Sequence, residues 1–180
     1  MSADLTYPIE LDQAAIEAVL PHRGEALFAH AVTILTHNHY RGRVRWSSRS
    51  GAMQGHFPGM PVVPGVLLIE GAAQVAGVGI LVGDAYARSL GADQIGLLAG
   101  VRKCAFKQPV RPDEWVDVEV HTRQMSPTAA SVSAVLSGAG VEVATVEILV
   151  VNMPRHEVLA HLQGAADASA APGPIDESGR

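Results

Sequence analysis

The sequence holds one cysteine, Cys104, in 180 residues. It therefore forms no internal disulfide and no Cys-based zinc cluster. Aromatic residues make up only 4%, too few for a platform that stacks single-stranded nucleic acid. Positive charge is also short: 13 Lys and Arg stand against 18 Asp and Glu, for a formal net charge of −5. That balance argues against binding a phosphate backbone, so no nucleic-acid partner is expected. The N-terminal run MSADLTYPIELDQ lacks the basic-then-apolar order of a secretory leader, and the cytoplasm is the expected location. What is abundant is apolar. Hydrophobic residues make up 48% and charged residues 17%, enough for one domain with a real core.

The longest apolar stretch runs from Val62 to Val82, VVPGVLLIEGAAQVAGVGILV. Its length suits a membrane span, but Glu70 and Gln74 sit in the middle. A carboxylate at the bilayer centre costs roughly 2.5 kcal/mol or more. Pro64 near the start suits the first turn of a helix, and no basic flank is present. The expectation is a buried helix of a water-soluble domain, with no membrane insertion. Glu70 and Gln74 share one helix face. They mark either a buried polar site or a strip that reaches solvent. A buried carboxylate's pKa tends to rise. The small residues Gly71, Ala72, Ala73, Ala76, Gly77 and Gly79 predict close approach of other backbones.

A short helix is expected over Leu11–Leu20, with Ile16, Val19 and Leu20 inward and Pro21 ending it. Phe28–Leu35 and His39–Ser47 read as strands. In the second, Arg41, Arg43 and Arg45 face one way, and Tyr40, Val44 and Trp46 the other. That basic face suits an acidic partner or plain solvent. Extended segments follow the helix at Ile95–Phe106, Trp115–His121, Ala129–Leu136 and Val141–Asn152, with a hairpin across Ser137–Gly140. Strands and helices do not alternate, so the class is α+β with a mostly antiparallel sheet. Residues 1–162 form the expected domain, and the Ala/Gly/Pro/Ser-rich run 163–180 an expected disordered tail.

His37 and His39 would share a strand face, but no third ligand is evident nearby, and no metal is expected. His22 reads as a turn residue after Pro21. His56 stands apart. Gly55, Pro58, Gly59 and Pro61 constrain the backbone around its ring, just ahead of the apolar helix. A loop histidine held this way can serve as a general base. The helix start at Pro64 and Gly65 offers free N–H groups for a developing oxyanion, and Glu70 follows two turns on.

The segment from Gly55 to Gln74, GHFPGMPVVPGVLLIEGAAQ, resembles the signature of the bacterial β-hydroxyacyl-(acyl carrier protein) dehydratases of type II fatty acid synthesis, G-H-F-P-x-x-P-x-x-P-G-V-x-x-x-E-x-x-x-Q. Every fixed position matches. Leu20-Pro21-His22-Arg23 is similar to the family's L-P-H-R, and Lys103–Val110 to its K-x-x-F-x-x-P-V. The resemblance implies a hotdog fold, an antiparallel sheet wrapped around one central helix. It implies a homodimer with active sites at the interface, and trimers of dimers are common among members. The implied substrate is a 3-hydroxyacyl thioester carried on phosphopantetheine of acyl carrier protein. That group arrives with the substrate, so no bound cofactor is implied.

Carried over by position, His56 is the catalytic base and Glu70 the acid partner from the other subunit. The amides of Gly65 and Val66 would hold the thioester carbonyl. Phe57, Pro58, Val63 and Pro64 would line the acyl tunnel. The related dehydratase/isomerase branch carries Asp where Glu70 stands, so plain dehydration is expected. Arg102, Lys103, Lys107 and Arg111 are the expected docking cations for the acidic carrier protein. The chain departs from the family at Arg111-Pro112-Asp113, where Pro-Gly-Asp is usual. A gating Tyr falls near Leu97, and an Asp of the first strand falls near His30. These departures hint at a specialised acyl or polyketide pathway. A hotdog acyl thioesterase and a non-catalytic acyl-carrier binder are the competing readings.

Overall fold

The computed structural model describes residues 5–91 and 93–170. The chain opens with strand β1 (Ile9–Leu11) and helix α1 (Gln13–Val19). Asp12 caps α1 by accepting from the Ala15 N–H at 2.9 Å, and Ile16 and Leu20 are buried, as the apolar spacing predicts. Strands β2 (Ala29–Thr36) and β3 (His39–Val44) form a hairpin. The short helix α2 (Gly51–Gly55) precedes the long helix α3 (Gly65–Gly83), and α4 (Ala85–Ser89) follows it. Strands β4 (Gln94–Phe106), β5 (Val116–Ser126), β6 (Ala129–Gly138) and β7 (Val141–Pro154) complete the sheet. Helix α5 (Arg155–Ala170) ends the described residues. The boundary expected at residue 163 thus falls inside α5, and residues 171–180 of the expected tail lie outside the described residues.

All seven strands belong to one antiparallel sheet in the order β1-β2-β3-β5-β6-β7-β4. The β6–β7 turn falls where the sequence places it, with Ala139 and Gly140 both at positive φ (49° and 80°). This is the twist-matched geometry of a two-residue hairpin. Alternation gives the sheet two faces. Tyr40, Val44, Val116, Val118 and Val120 point inward, and Arg41, Arg43, Asp117 and Glu119 point outward.

The inner face wraps α3. This is the one helix among the described residues long and apolar enough to cross a membrane, and it is the core helix of the sheet. The fit corrects one expectation. The small residues of α3 admit bulky side chains rather than neighbouring backbones. A Cβ on Gly79 would lie 2.2 Å from the Tyr40 ring, and one on Gly71 would lie 2.9 Å from Trp46. Tyr40 and Trp46 are almost wholly buried, so both rings take the volume those side chains would need.

Candidate active site

His56 ends α2 and begins the loop into α3. Ser50 caps α2, accepting from the Met53 N–H, and Met53 is buried, so the helix is anchored. Beyond His56 the chain turns sharply. Phe57 has φ 54°, a conformation that costs a bulky L-residue on the order of 1–3 kcal/mol. The Met60 N–H closes the turn onto the Phe57 carbonyl at 2.9 Å, and the Val63 N–H donates to the Val110 carbonyl at 2.8 Å. That bond ties the His56 loop to the end of the Lys103–Val110 segment.

The turn folds the Phe57 ring over His56, with centroids 4.1 Å apart. His56 Nδ1 lies 2.8 Å from the Val62 carbonyl. A carbonyl only accepts, so Nδ1 carries the hydrogen and Nε2 keeps its lone pair. The neutral ring is therefore fixed as a base at Nε2. It lines a cleft of about 340 Å³ with Phe57, Val63, Gly65, Phe106 and Lys107.

Helix α3 starts in this cleft. No side chain caps it, and its N-cap residue is Pro64. The N–H groups of Gly65 and Val66 lie in the first turn of α3, where the helix dipole is positive, as an oxyanion site requires. Gly65 must lack a side chain, because a Cβ there would sit 2.7 Å from the Phe106 ring. Of the expected tunnel residues, Phe57 and Val63 line the His56 cleft and Pro58 and Pro64 do not. Pro58 is held in the exposed Phe57–Met60 turn, and Pro64 is used in starting α3.

Glu70 lies in a different cleft, of about 230 Å³, bounded by Leu20, His22, Gln74, Leu97, Leu98 and Asn152 among others. The two clefts share no lining residue, so one protomer does not bring His56 and Glu70 together. Gln74 organises the second cleft. Its Oε1 accepts from the Phe28 and Ala29 N–H groups at 2.8 and 3.3 Å. Its Nε2 donates to the Ala26 carbonyl at 2.8 Å and to Glu70 Oε1 at 3.0 Å. This buried amide is fully paired and aims the carboxylate. The Glu70–Gln74 face is thus a buried polar site at Gln74 and opens to the cleft at Glu70, whose side chain keeps 33% of its exposure.

His22, which reads from the sequence as a turn residue, stands beside Glu70. Its Nε2 lies 3.3 Å from Glu70 Oε1, and its Nδ1 is buried without a partner. The Leu20–Arg23 match was the available signal. Burial pushes the Glu70 carboxyl up, but hydrogen bonds from His22 and Gln74 outweigh it and hold the pKa below the ordinary value. The rise expected for a buried carboxylate is therefore reversed by its partners.

Leu97, at the position of the gating Tyr, lines the Glu70 cleft. His30 stands edge-on to Trp115, 5.1 Å away. At the third departure, Asp113 takes φ 67°, and its N–H donates to the Trp46 carbonyl at 2.8 Å. Arg102, Lys103, Lys107 and Arg111 are all exposed. Lys107 alone lines the His56 cleft, paired with Glu142 at 2.7 Å. A depression of about 690 Å³ lies on the outer sheet face around Arg41, Arg43 and Glu119, with neither a loop base nor a helix start in it.

Residues 20–148 match the profile of the FabA-like domain. The 3-hydroxyacyl-[acyl-carrier-protein] dehydratase FabZ of Pseudothermotoga lettingae is 33% identical over 135 residues, covering 75% of this chain and 91% of that protein. The FabZ of Bacillus pumilus is 36% identical over 121 residues, covering 66% of this chain and 81% of its own. Among solved structures, the dehydratase heterocomplex ApeI:P of Xenorhabdus doucetiae superposes with a TM-score of 0.65 at 19% identity, covering 88% of this chain and 99% of that chain. A thioesterase superfamily member from Thermus thermophilus superposes at 0.59 and 13% identity, covering 77% and 98%. These likenesses establish the hotdog fold, and the sequence matches go further: the chain belongs to the FabA-like family of 3-hydroxyacyl-[acyl-carrier-protein] dehydratases.

Proposed function

We propose that this chain dehydrates 3-hydroxyacyl thioesters on acyl carrier protein to trans-2-enoyl thioesters, in the cytoplasm, at sites shared between two protomers. The observation that carries the reaction is the His56 ring, fixed with Nε2 free beside the uncapped start of α3. His56 Nε2 takes the proton from Cα, and the N–H groups of Gly65 and Val66 hold the charge that develops on the thioester oxygen. The Cβ–O bond then breaks with its electrons leaving on oxygen, and the pair left at Cα forms the Cα–Cβ double bond.

The resemblance makes Glu70 the acid; in our reading hydrogen bonds from His22 and Gln74 hold its pKa below the ordinary value, and it accepts a hydrogen bond from the β-hydroxyl and orients it. The proton held by His56 passes to the departing oxygen. One water leaves, and both groups return to their starting states.

Strand β4 supports the shared site. It is an edge strand of 13 residues, with Leu98, Val101 and Phe106 about half exposed. Such an edge is a template for pairing. At one end Leu97 and Leu98 line the Glu70 cleft, and at the other Phe106 lines the His56 cleft. An antiparallel pairing of two β4 edges about Val101–Arg102 sets Leu97 opposite the partner's Phe106. The Glu70 cleft of one protomer then adjoins the His56 cleft of the other. The carrier protein would dock at Lys107 by the cleft mouth, with Arg102, Lys103 and Arg111 nearby in sequence.

Incubation with a crotonyl thioester tests the reaction class. Hydration to the 3-hydroxyacyl thioester with no free thiol supports the dehydratase. Thiol release without hydration would make it a thioesterase, and binding without turnover a non-catalytic carrier-binding protein.

A further inference from the structure

We propose that His39, Glu119 and His121 form a binding site for a zinc-class divalent cation on the outer face of the sheet, apart from both clefts of the active site. Sequence supplies only His37 and His39, and His37 lies in the β2–β3 turn rather than on the strand. The missing donors come from β5. Antiparallel pairing sets His39 opposite His121 and Arg41 opposite Glu119. The four residues therefore make one block on the face turned away from α3.

The donor atoms of His39, Glu119 and His121 lie within 4.8 Å of one another. His39 Nε2 is 2.5 Å from Glu119 Oε1, and the two imidazoles are stacked with centroids 4.2 Å apart. Arg41 Nε donates to the other carboxylate oxygen, Oε2, at 3.0 Å, and Arg41 Nη2 donates to Oε1 at 3.4 Å. Arg41 thus orients Glu119 as an outer-shell partner, with its shorter bond on Oε2 and Oε1 turned toward His39. Binding puts the cation in place of the hydrogen between His39 Nε2 and Glu119 Oε1, the ring's proton moves to Nδ1, and His121 turns in as the third donor. Water completes the shell.

Both strands are interior members of the sheet, so the backbone that carries the donors is fixed by ladders on either side. Two imidazoles and one carboxylate suit zinc, copper or nickel, and do not suit magnesium or calcium, which take oxygen donors. The ion would bridge two neighbouring strands and so favour the folded chain.

The test is a calorimetric titration of the untagged full chain with zinc chloride at pH 7.5, with magnesium chloride as the comparison. One zinc per chain is expected, with no magnesium uptake. His121→Ala removes an exposed side chain and should weaken zinc binding about 10-fold or more, since even outer-shell changes cost that much. His39→Gln should do the same. His56→Ala should leave zinc binding unchanged, which separates this site from the catalytic imidazole. Zinc should also raise the melting temperature of the parent protein and not that of His121→Ala. Absence of stoichiometric zinc binding would overturn the proposal. So would binding that survives both His39→Gln and His121→Ala.

Discussion

The Nε2 of His22 lies 3.3 Å from Oε1 of Glu70, and its hydrogen bond is one of two that keep this half-buried carboxyl ionised. Removing it should let burial prevail. In His22→Ala the Glu70 pKa should rise. The NMR shift of the Glu70 carboxyl carbon followed against pH in parent and variant checks this. An unmoved midpoint would show that His22 does not act on Glu70.

The same carboxyl links pH to stability. Its folded pKa is depressed below 4.5, so the unfolded chain binds the proton more readily. Its contribution is full above the unfolded value and is lost as pH falls through the folded one. Glu70→Gln should therefore flatten the acid side of a denaturation midpoint plotted against pH, and leave the neutral side parallel to the parent.

Gly79→Ala sets two effects against each other. Alanine favours the helix by about 1 kcal/mol. Its Cβ, however, would overlap the Tyr40 ring, which is fully buried and held through its hydroxyl to the His37 carbonyl at 2.7 Å. Overpacking typically costs 1–3 kcal/mol, and a ring fixed at both ends puts this site at the upper part of about that range. A net loss of about 1–2 kcal/mol is expected in urea unfolding.

Replacing Lys107 and Arg111 with Ala should slow turnover on carrier-bound substrate several-fold at low salt and less at high salt, because rim charges act on encounter. Turnover on a short pantetheine thioester should barely change. Equal losses on both substrates would assign these residues to the cleft.

The long strands and α3 were legible because each carries a strong local pattern. Alternation marks β3 and β5, and an unbroken apolar run marks α3. The short elements β1, α2, α4 and the start of α5 were not. Each spans few residues or carries no periodic apolar face, and depends on what it caps or packs against. In the site, His56 and Glu70 were legible through their motif. His22 was not, because its role appears only when α1's end folds beside α3. Glu70's lowered pKa was hidden for the same reason: burial is readable from the apolar run, but one of the two hydrogen bonds that outweigh it comes from His22, 48 residues away, and the other from Gln74, whose amide is aimed by Ala26, 48 residues before it.

The shared site is tested most directly by mixing two inactive proteins. His56→Ala removes the base and should cut activity by about 10²- to 10⁴-fold. Glu70→Ala removes the group that orients the leaving hydroxyl. When subunits exchange, a mixed dimer holds one cleft pair with His56 from one protomer and Glu70 from the other. The account predicts that the mixture regains up to about a quarter of the parent activity, as expected for random pairing with one intact site per mixed dimer. Activity that stays at the level of the separate variants, with exchange demonstrated by mass-tagged subunits, would contradict it.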